Sequence, residues 1–199
     1  MNMLSRSDLW SLEEYAEQRQ RFRTQVMAHK KNRQLQLGDH ARLYFEDRLT
    51  VQYQIQEMLR IEKVFEAQGI NEELEAYNPL IPDGSNWKAT FMLEYDDPAL
   101  RATALAGLIG IENRVWLQVE DCEKTYPIAD EDLERQNDEK TSSVHFLRFE
   151  LDPSAVRAVH SGASISAGID HAGYELEGFA LPESIRESLA ADLDSASLN

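Results

Sequence analysis

The sequence predicts an α+β fold in which long N-terminal helices pack against an antiparallel sheet. Two long segments near the N-terminus have apolar residues at helical spacing and contain no residue that breaks a helix. From Trp87 onward, short apolar strands alternate with helices that begin at Asp-Pro pairs. Residues 87–170 therefore have the order β-α-β, a polar insert and again β-α-β. This order matches the split βαβ, or ferredoxin-like, arrangement.

Local signals place the N-terminal elements. The run SLEE at residues 11–14 has the pattern of a capping box, so the first helix is predicted to begin there and to continue to about Arg33. A turn leads to a strand over residues 41–46, in which apolar and polar residues alternate. Asp47 can cap a second long helix, and Gly69 is a good C-terminal stop for it.

These elements divide the chain into three parts. Residues 1–86 form a helical segment with one strand, residues 87–181 form the α+β sheet domain, and residues 182–199 form a C-terminal helix with a loose tail. We expect one compact unit, because 199 residues suit a single domain. An alternative to the ferredoxin-like sheet is a single mixed α/β sheet that also includes strand 41–46.

Composition and charge argue against several classes of partner. The net charge of −16 opposes binding to nucleic acid or to an anionic membrane surface. No apolar run approaches the roughly 20 residues needed to cross a bilayer, and the N-terminus lacks the apolar core of a secretory signal. The single cysteine, Cys122, is flanked by Asp121 and Glu123, which disfavour a reactive thiolate. We therefore expect a cytoplasmic protein.

The second helix carries polar residues at positions where an amphipathic helix is apolar. On a helical wheel, apolar side chains between residues 49 and 65 cover most of the circumference, and Gln54, Glu57 and Glu62 fall inside that arc. A buried carboxylate without a partner is costly, so both glutamates need a cation, hydrogen-bond donors or a proton. The remaining arc is predicted to face solvent and contains Gln52, Gln56, Arg60 and Lys63.

These polar residues have a structural and a functional interpretation. Glu57 and Glu62 form ion pairs with a neighbouring element, or they belong to a site for a metal or a substrate. The strand SVHFLRFE places His145 and Arg148 on opposite faces, each among apolar residues. Arg148 needs a carboxylate partner, for which Glu57, Glu62 and Glu94 are candidates. His145 is either a core histidine with satisfied hydrogen bonds or a ligand and general base.

No catalytic or metal-binding motif is recognisable. The five histidines show no HxxxH, HExxH or Glu-x-x-His spacing, and a nucleophile elbow is missing. The loop over residues 78–86 has one glycine, so it is not a phosphate-binding loop of the P-loop type. We predict no metal and no cofactor, and the question whether the protein is an enzyme stays open. The candidate binding residues are Gln54, Glu57, Glu62, His145 and Arg148.

Four long runs of the sequence are specific enough to compare with known families: MAHKKNRQ, YFEDRLTVQYQIQEMLRIEK, YNPLIPDGSNWKATFMLEY and NDEKTSSVHFLRFEL. Together they resemble a bacterial family, the domain-of-unknown-function family 3501. Genes of this family often lie beside rubrerythrin-like and iron–sulfur, heterodisulfide-reductase-like proteins, which implies a link to redox or oxidative-stress chemistry. One cysteine cannot hold an iron–sulfur cluster, so the resemblance implies an accessory protein rather than the redox centre.

Two functions agree with these observations. The first is an accessory or interaction protein that docks through its N-terminal helices onto a rubrerythrin-like or iron–sulfur redox protein. The second is a small-molecule or metal-binding protein, which includes an enzyme, with a site around Glu57, His145 and Arg148. A weaker option is a homo-oligomer built on the helix over residues 11–33.

Overall fold

The computed structural model describes residues 3–132, 135–137 and 139–194. The expected loose tail falls on residues 195–199, which lie outside this part of the chain. The α-helices of the described residues are α1 (Leu12–Lys30), α2 (Arg48–Glu62), α3 (Ala67–Tyr77), α4 (Pro98–Gly107), α5 (Pro153–His160) and α6 (Glu183–Ala190). The strands are β1 (Gln34–Leu37), β2 (Ala41–Glu46), β3 (Asn86–Leu93), β4 (Val115–Val119), β5 (Ile128–Ala129), β6 (Val144–Glu150), β7 (Ile165–His171) and β8 (Tyr174–Ala180).

The strands form two antiparallel sheets within the described residues. The first sheet has the order β1-β2-β3-β6-β5, and the second has the order β4-β7-β8. One continuous hydrophobic core contains inward-facing side chains of both sheets together with residues of α4, α5 and α6. The fold is therefore α+β, as predicted, with helices gathered around two sheets.

The ferredoxin-like arrangement was wrong in its sheet assignment. Strands β3 and β6 are adjacent in the middle of one sheet, as predicted, but β4 and β7 pair with each other in a separate sheet. The alternative of a single mixed sheet was also wrong, although strand 41–46 does join β3 as β2. The physical reason is that β4 and β7 bury apolar side chains in the core shared with the first sheet, and β8 extends their sheet on the far side of β7.

The structure contains two strands that the sequence did not predict. Strand β1 forms a hairpin with β2 through Gly38, whose φ of 69° lies in the left-handed region that glycine adopts readily. Strand β8 pairs with β7. The hydroxyl of Tyr174 joins the two sheets, because it donates to the carbonyl of Leu37 at 2.7 Å and accepts from the N–H of Ala41 at 3.2 Å.

The N-terminal helices pack in a separate layer. The capping box of α1 is confirmed, since the Ser11 side chain accepts from the N–H of Glu14 and the Glu14 carboxylate accepts from the N–H of Ser11. The predicted second helix ends earlier than expected, at Glu62 instead of Gly69, and α3 is a separate helix. Lys63 ends α2 with a φ of 57°, which the sequence does not signal because no glycine stands there. Gly69 consequently lies inside α3.

A buried arginine fixes the C-terminal helix to the rest of the fold. Arg33 is 2% exposed, and its Nη2 lies 2.5 Å from Oδ2 of Asp192. Its Nε and Nη2 also donate to the carbonyls of Phe45 and Glu46 at 3.0 and 2.9 Å. Oδ2 of Asp47 lies 3.4 Å from Nε. Arg33 therefore connects the end of α1, strand β2 and the residues that follow α6.

Candidate functional site

The outer face of the first sheet is only partly covered by helices. Along β2, β3 and β6, the inner residues are buried in the core, whereas the outer residues are half-buried. Helix α2 and the segment 77–81 cross this outer face and leave a groove beside them. The outer residues of the three strands that line the groove are Tyr44, Glu46, Lys88, Thr90, Met92, Val144, Phe146 and Arg148.

The groove consists of two adjoining cavities of about 270 and 340 Å³. Both are lined by Tyr77, Leu80 and Phe146, so the middle of the groove is apolar. We call the two cavities together the sheet groove. Its size and its apolar surface with a few polar groups are typical of sites for small organic ligands, which occupy roughly 300–1,000 Å³.

Lys88 lies at one end of the sheet groove. Its ammonium group donates to the carbonyls of Pro79 and Ile81, at 2.7 and 2.9 Å. In the described part of the chain, no carboxylate lies within ion-pair distance of this group, and burial is the main cause that lowers the pKa of Lys88. An ammonium group has three donors, so Lys88 retains one hydrogen bond for another partner.

Arg148 lies at the same end of the groove, but it is already neutralised. Its guanidinium group makes two hydrogen bonds of 2.8 Å to Glu131, and its Nη1 lies 2.5 Å from Oε2 of Glu150. Arg148 lowers the pKa of Glu131 through these hydrogen bonds. The partners expected from the sequence, among them Glu94, were therefore wrong. Glu131 follows the edge strand β5, which pairs with β6, and this pairing is not visible in the sequence.

The other end of the groove is polar as well. Both carboxylate oxygens of Glu46 accept hydrogen bonds from hydroxyl groups, one from Thr50 at 2.6 Å and one from Thr90 at 2.9 Å. Lys30 and the exposed Gln54 line the same end. The carboxylate of Glu46 therefore has hydrogen-bond partners within the protein. Lys30, like Lys88, has no carboxylate partner among the described residues.

The structure does not bring the five predicted site residues into one cavity. Gln54 and Arg148 both line the sheet groove, but at opposite ends. His145 lies on the inner face of β6, and Glu57 faces α1. Glu62 is exposed at the end of α2. A binding role for each of these residues stays a prediction, and only Gln54 and Arg148 can contact one and the same ligand in the groove.

The burial predicted from the helical wheel was partly wrong. Gln54 and Glu62 are exposed, and only Glu57 of the three is largely covered. Gln56, which was expected to face solvent, is completely buried. Its Oε1 accepts from the N–H of Trp10 at 2.7 Å, because the segment before α1 lies over this face of α2. The wheel alone does not indicate which part of the chain covers which face.

Glu57 forms an ion pair that fixes α1 on α2. Nε and Nη2 of Arg19 donate to its two oxygens at 2.8 and 2.9 Å, and the hydroxyl of Tyr15 donates to Oε1 at 2.7 Å. The hydrogen bonds from Arg19 are the main cause that lowers the pKa of Glu57 to about 2. This geometry corresponds to the structural interpretation of the carboxylate.

We expect Glu57→Gln to destabilise the fold by about 2 kcal/mol at neutral pH, because hydrogen bonds to a charged group are lost. The pKa of Glu57 is lower in the folded chain than its ordinary value of 4.5, so its contribution is present above about pH 4.5 and disappears as the pH falls through about 2. Urea unfolding at neutral pH and at about pH 3 measures this, and the difference between wild type and variant should shrink in acid. Glu17→Gln, at an exposed position of α1, is the control.

His145 is completely buried and has hydrogen-bond partners on both ring nitrogens. Its Nδ1 lies 2.6 Å from Oδ2 of Asp130, and its Nε2 lies 3.0 Å from the hydroxyl of Thr141 and 3.1 Å from the carbonyl of Ser142. Oε2 of the buried Glu112 is 3.9 Å from Nε2. The geometry is that of a core histidine, since no ring atom reaches the surface.

Comparison with known proteins places the chain in a family. The model of a family described as "Protein of unknown function (DUF3501)" matches residues 3–193. The chain belongs to this family. A crystal structure of a novel protein of unknown function from Burkholderia pseudomallei K96243 is 50% identical in sequence and has a TM-score of 0.93. That alignment covers 97% of this chain and 100% of the other. Among curated proteins, none matches the chain.

Three further observations on this DUF3501 protein concern metal ligands, the thiol and membrane spans. Within the residues that the structure describes, no group of three or more His, Cys, Asp or Glu side chains could hold a metal ion. Burial, followed by the charges of Asp152 and Asp121, raises the pKa of the Cys122 thiol. No helix of the described residues is long and apolar enough to cross a bilayer.

Lys88 is the groove residue that the sequence analysis missed. The strand WKATFMLEY places Lys88 on the same face as Thr90 and Met92, so a cation stands on a face that also carries apolar residues. A lysine on a central strand is the signal that would have indicated it. Met92 lies on the same face as Lys88 and makes both faces of the strand partly apolar, which obscures that signal.

Proposed function

We propose that this DUF3501 protein binds a small organic anion in the sheet groove. The carboxylate of the ligand accepts a hydrogen bond from Lys88, and its apolar body lies against Tyr77, Leu80 and Phe146. The observation that carries the proposal is the half-buried ammonium group of Lys88, which has two carbonyl partners and, among the described residues, no carboxylate partner. This is the small-molecule form of the second function expected from the sequence, with Gln54 and Arg148 as groove residues.

Charge and burial support an anionic ligand with an apolar part. Removing an ammonium group from water is unfavourable unless it gains strong partners, and a carboxylate is a stronger acceptor than a third carbonyl. Of the acidic groups that line this end of the groove, Glu131 binds Arg148 and Asp132 binds Arg135, whereas Glu75 is exposed to solvent. The guanidinium group of Arg135 lies over the ring of the half-buried Phe146, 4.6 Å from its centroid, and an apolar ligand body would cover the part of the ring that lines the groove.

We expect wild-type protein to bind 2-naphthoate about tenfold more tightly than the neutral 2-naphthamide, because one charge-assisted hydrogen bond contributes roughly 1.5–3 kcal/mol. Lys88→Met should weaken naphthoate binding and leave naphthamide binding unchanged. Phe146→Ala should weaken both, since it removes apolar contact area. Isothermal titration calorimetry measures all three, with circular dichroism as a check on folding.

Lys31→Met is the matched control, because it removes one positive charge from an exposed position of the same acidic protein. If naphthoate and naphthamide bind wild type equally, or if Lys31→Met and Lys88→Met weaken naphthoate binding by the same factor, the proposed anion site is wrong.

A second candidate function is the accessory protein of a redox or oxidative-stress system in the cytoplasm. Its proposed partners are rubrerythrin-like or iron–sulfur proteins, as the family resemblance implies. The observation that favours an interaction protein is the exposure of two large apolar side chains, Ile61 and Phe65, on the N-terminal helical layer. Co-purification of tagged protein with these candidate partners from the native host, at low and at physiological salt, tests it.

A further inference from the structure

Two large apolar side chains are exposed where α2 leads into α3. Ile61 is 60% exposed and Phe65 is 70% exposed, and the two stand four positions apart in the sequence. Neither contributes to the buried clusters of the fold. Because burial of apolar surface is favourable and such side chains are usually covered, their position indicates a surface that becomes buried in a complex.

Phe65 lines a cavity of about 410 Å³. The cavity is formed between the start of α1 with the segment before it and the junction of α2 and α3. Its volume is large enough to accept apolar side chains of another molecule. We call Ile61, Phe65 and this cavity the apolar corner. The apolar residues that line the cavity are Leu9, Trp10, Leu12, Leu59, Val64, Phe65 and Ile70.

Three acidic residues stand close in the chain to residues of the apolar corner: Glu62 directly follows Ile61, and Glu72 and Glu73 follow Ile70 by two and three positions in α3. The pKa of Glu73 is raised, first by burial and then by the charges of Glu62 and Glu72. In the described part of the chain, none of these three carboxylates has an ion pair. Like charges that are held close together repel, so a positively charged group placed among them would be stabilised. The net charge of the whole chain is also negative, at −16.

We propose that the apolar corner docks an amphipathic helix of a partner protein whose flanking residues are lysine or arginine. Apolar side chains of the partner helix, one turn apart, enter the cavity and cover Ile61 and Phe65. Its cations lie near Glu62, Glu72 and Glu73. A second copy of this chain fits less well, because it would bring further negative charge to the acidic residues. The inference is independent of the sheet groove and gives the second candidate function its surface.

The binding mode follows known physics of recognition. An amphipathic helix that lies in an apolar groove is anchored by a few side chains at i, i+3, i+4 and i+7. Such anchors carry most of the affinity, whereas charges at the rim mainly affect the association rate and its dependence on salt. We therefore expect Phe65 to dominate the affinity and the three glutamates to control the salt dependence.

The test uses a fluorescently labelled 18-residue peptide with leucine at helical spacing and lysine at the other positions. We expect wild-type protein to bind it in fluorescence anisotropy at about 150 mM salt, and Ile61→Ser/Phe65→Ser to bind it at least about tenfold more weakly. Leu100→Ser is the matched control, because Leu100 is 66% exposed on α4, in another part of the fold. It should bind like wild type.

Two further peptides distinguish the contribution of the leucine spacing from the contribution of the positive charge. A scrambled peptide of the same composition, with leucine spread around the helix, should bind at least about tenfold more weakly. A peptide with glutamate in place of lysine should also bind more weakly, and Glu72→Gln/Glu73→Gln should reduce that difference. No binding by wild type, equal binding of the scrambled peptide, or unchanged binding by Ile61→Ser/Phe65→Ser overturns the proposal. The Ile61→Ser/Phe65→Ser variant should bind naphthoate with the affinity of wild type. The peptide and naphthoate measurements therefore test the apolar corner and the sheet groove separately.

Discussion

Arg33→Met is expected to lower the free energy of unfolding by about 3–5 kcal/mol at neutral pH, because it leaves buried carboxylates without their cation. Arg33 lies between Asp192, whose Oδ2 is 2.5 Å from its Nη2, and Asp47, whose Oδ2 is 3.4 Å from its Nε. Methionine has a comparable apolar stem but cannot donate to the carbonyls of Phe45 and Glu46. Urea unfolding followed by circular dichroism measures the loss.

The loss should grow with pH. Burial raises the pKa of Asp192 from 3.8 to about 6, so its contribution to stability is fully present below 3.8 and is lost as the pH rises through about 6. Without Arg33, ionisation of Asp192 becomes still less favourable. The folded variant then binds more protons than wild type once the pH exceeds about 6, and its loss of stability increases as the pH rises from there.

Arg23→Met is the control for this prediction, because Arg23 is exposed on α1. It should change the free energy of unfolding by no more than about 0.5 kcal/mol. An equal and small effect of both substitutions would show that the contacts of Arg33 with Asp47 and Asp192 contribute nothing to the net stability.

His145→Leu is expected to lower the free energy of unfolding by about 3 kcal/mol. Leucine fills part of the space of the imidazole ring, but it cannot donate to Asp130, which lies 2.6 Å from Nδ1. The Ser142 carbonyl and the Thr141 hydroxyl lose their partner on Nε2 as well. Buried polar groups without partners are the main cost of such a substitution.

The same urea experiment tests this prediction. His160→Leu is the control, since His160 is exposed at the end of α5 and a leucine there should have little effect. The slope of the unfolding free energy against urea concentration, the m value, should be the same in both variants. An unchanged slope would show that unfolding exposes the same amount of surface. A His145→Leu variant as stable as wild type would mean that the hydrogen bonds of the ring merely compensate the cost of burying it.

Helix starts were predictable because capping depends on adjacent residues. Ser11, Asp47, Asp97 and Asp152 were each expected to cap a helix, and each accepts a hydrogen bond from a backbone N–H of the first turn. In strand β6, the alternation of residues correctly placed His145 and Arg148 on opposite faces, and the structure shows that the face with His145 is the buried one. Both signals extend over only a few residues.

The candidate site was less accessible to such signals. The sequence indicated Gln54 and Arg148, and both line the sheet groove, but Lys88 was missed and His145 lies on the other face of the same sheet. A groove between a sheet and helices is formed by residues from separate elements. Its existence depends on how far α2 and the segment 77–81 cover the outer face, which no local pattern determines.

The sequence by itself determined where most helices and strands lie, which residues of β6 share a face, and the family of the chain, because these depend on local spacing or on long matching runs. Only the tertiary structure decided that the strands divide into two sheets and that Glu57 pairs with Arg19. It also decided that Gln56 is covered by the segment before α1 and that Arg33 meets Asp192, 159 positions along the chain. The physical reason is that strand order and the partner of a buried charge follow from the packing free energies of distant segments, whereas periodicity and capping report only on near neighbours.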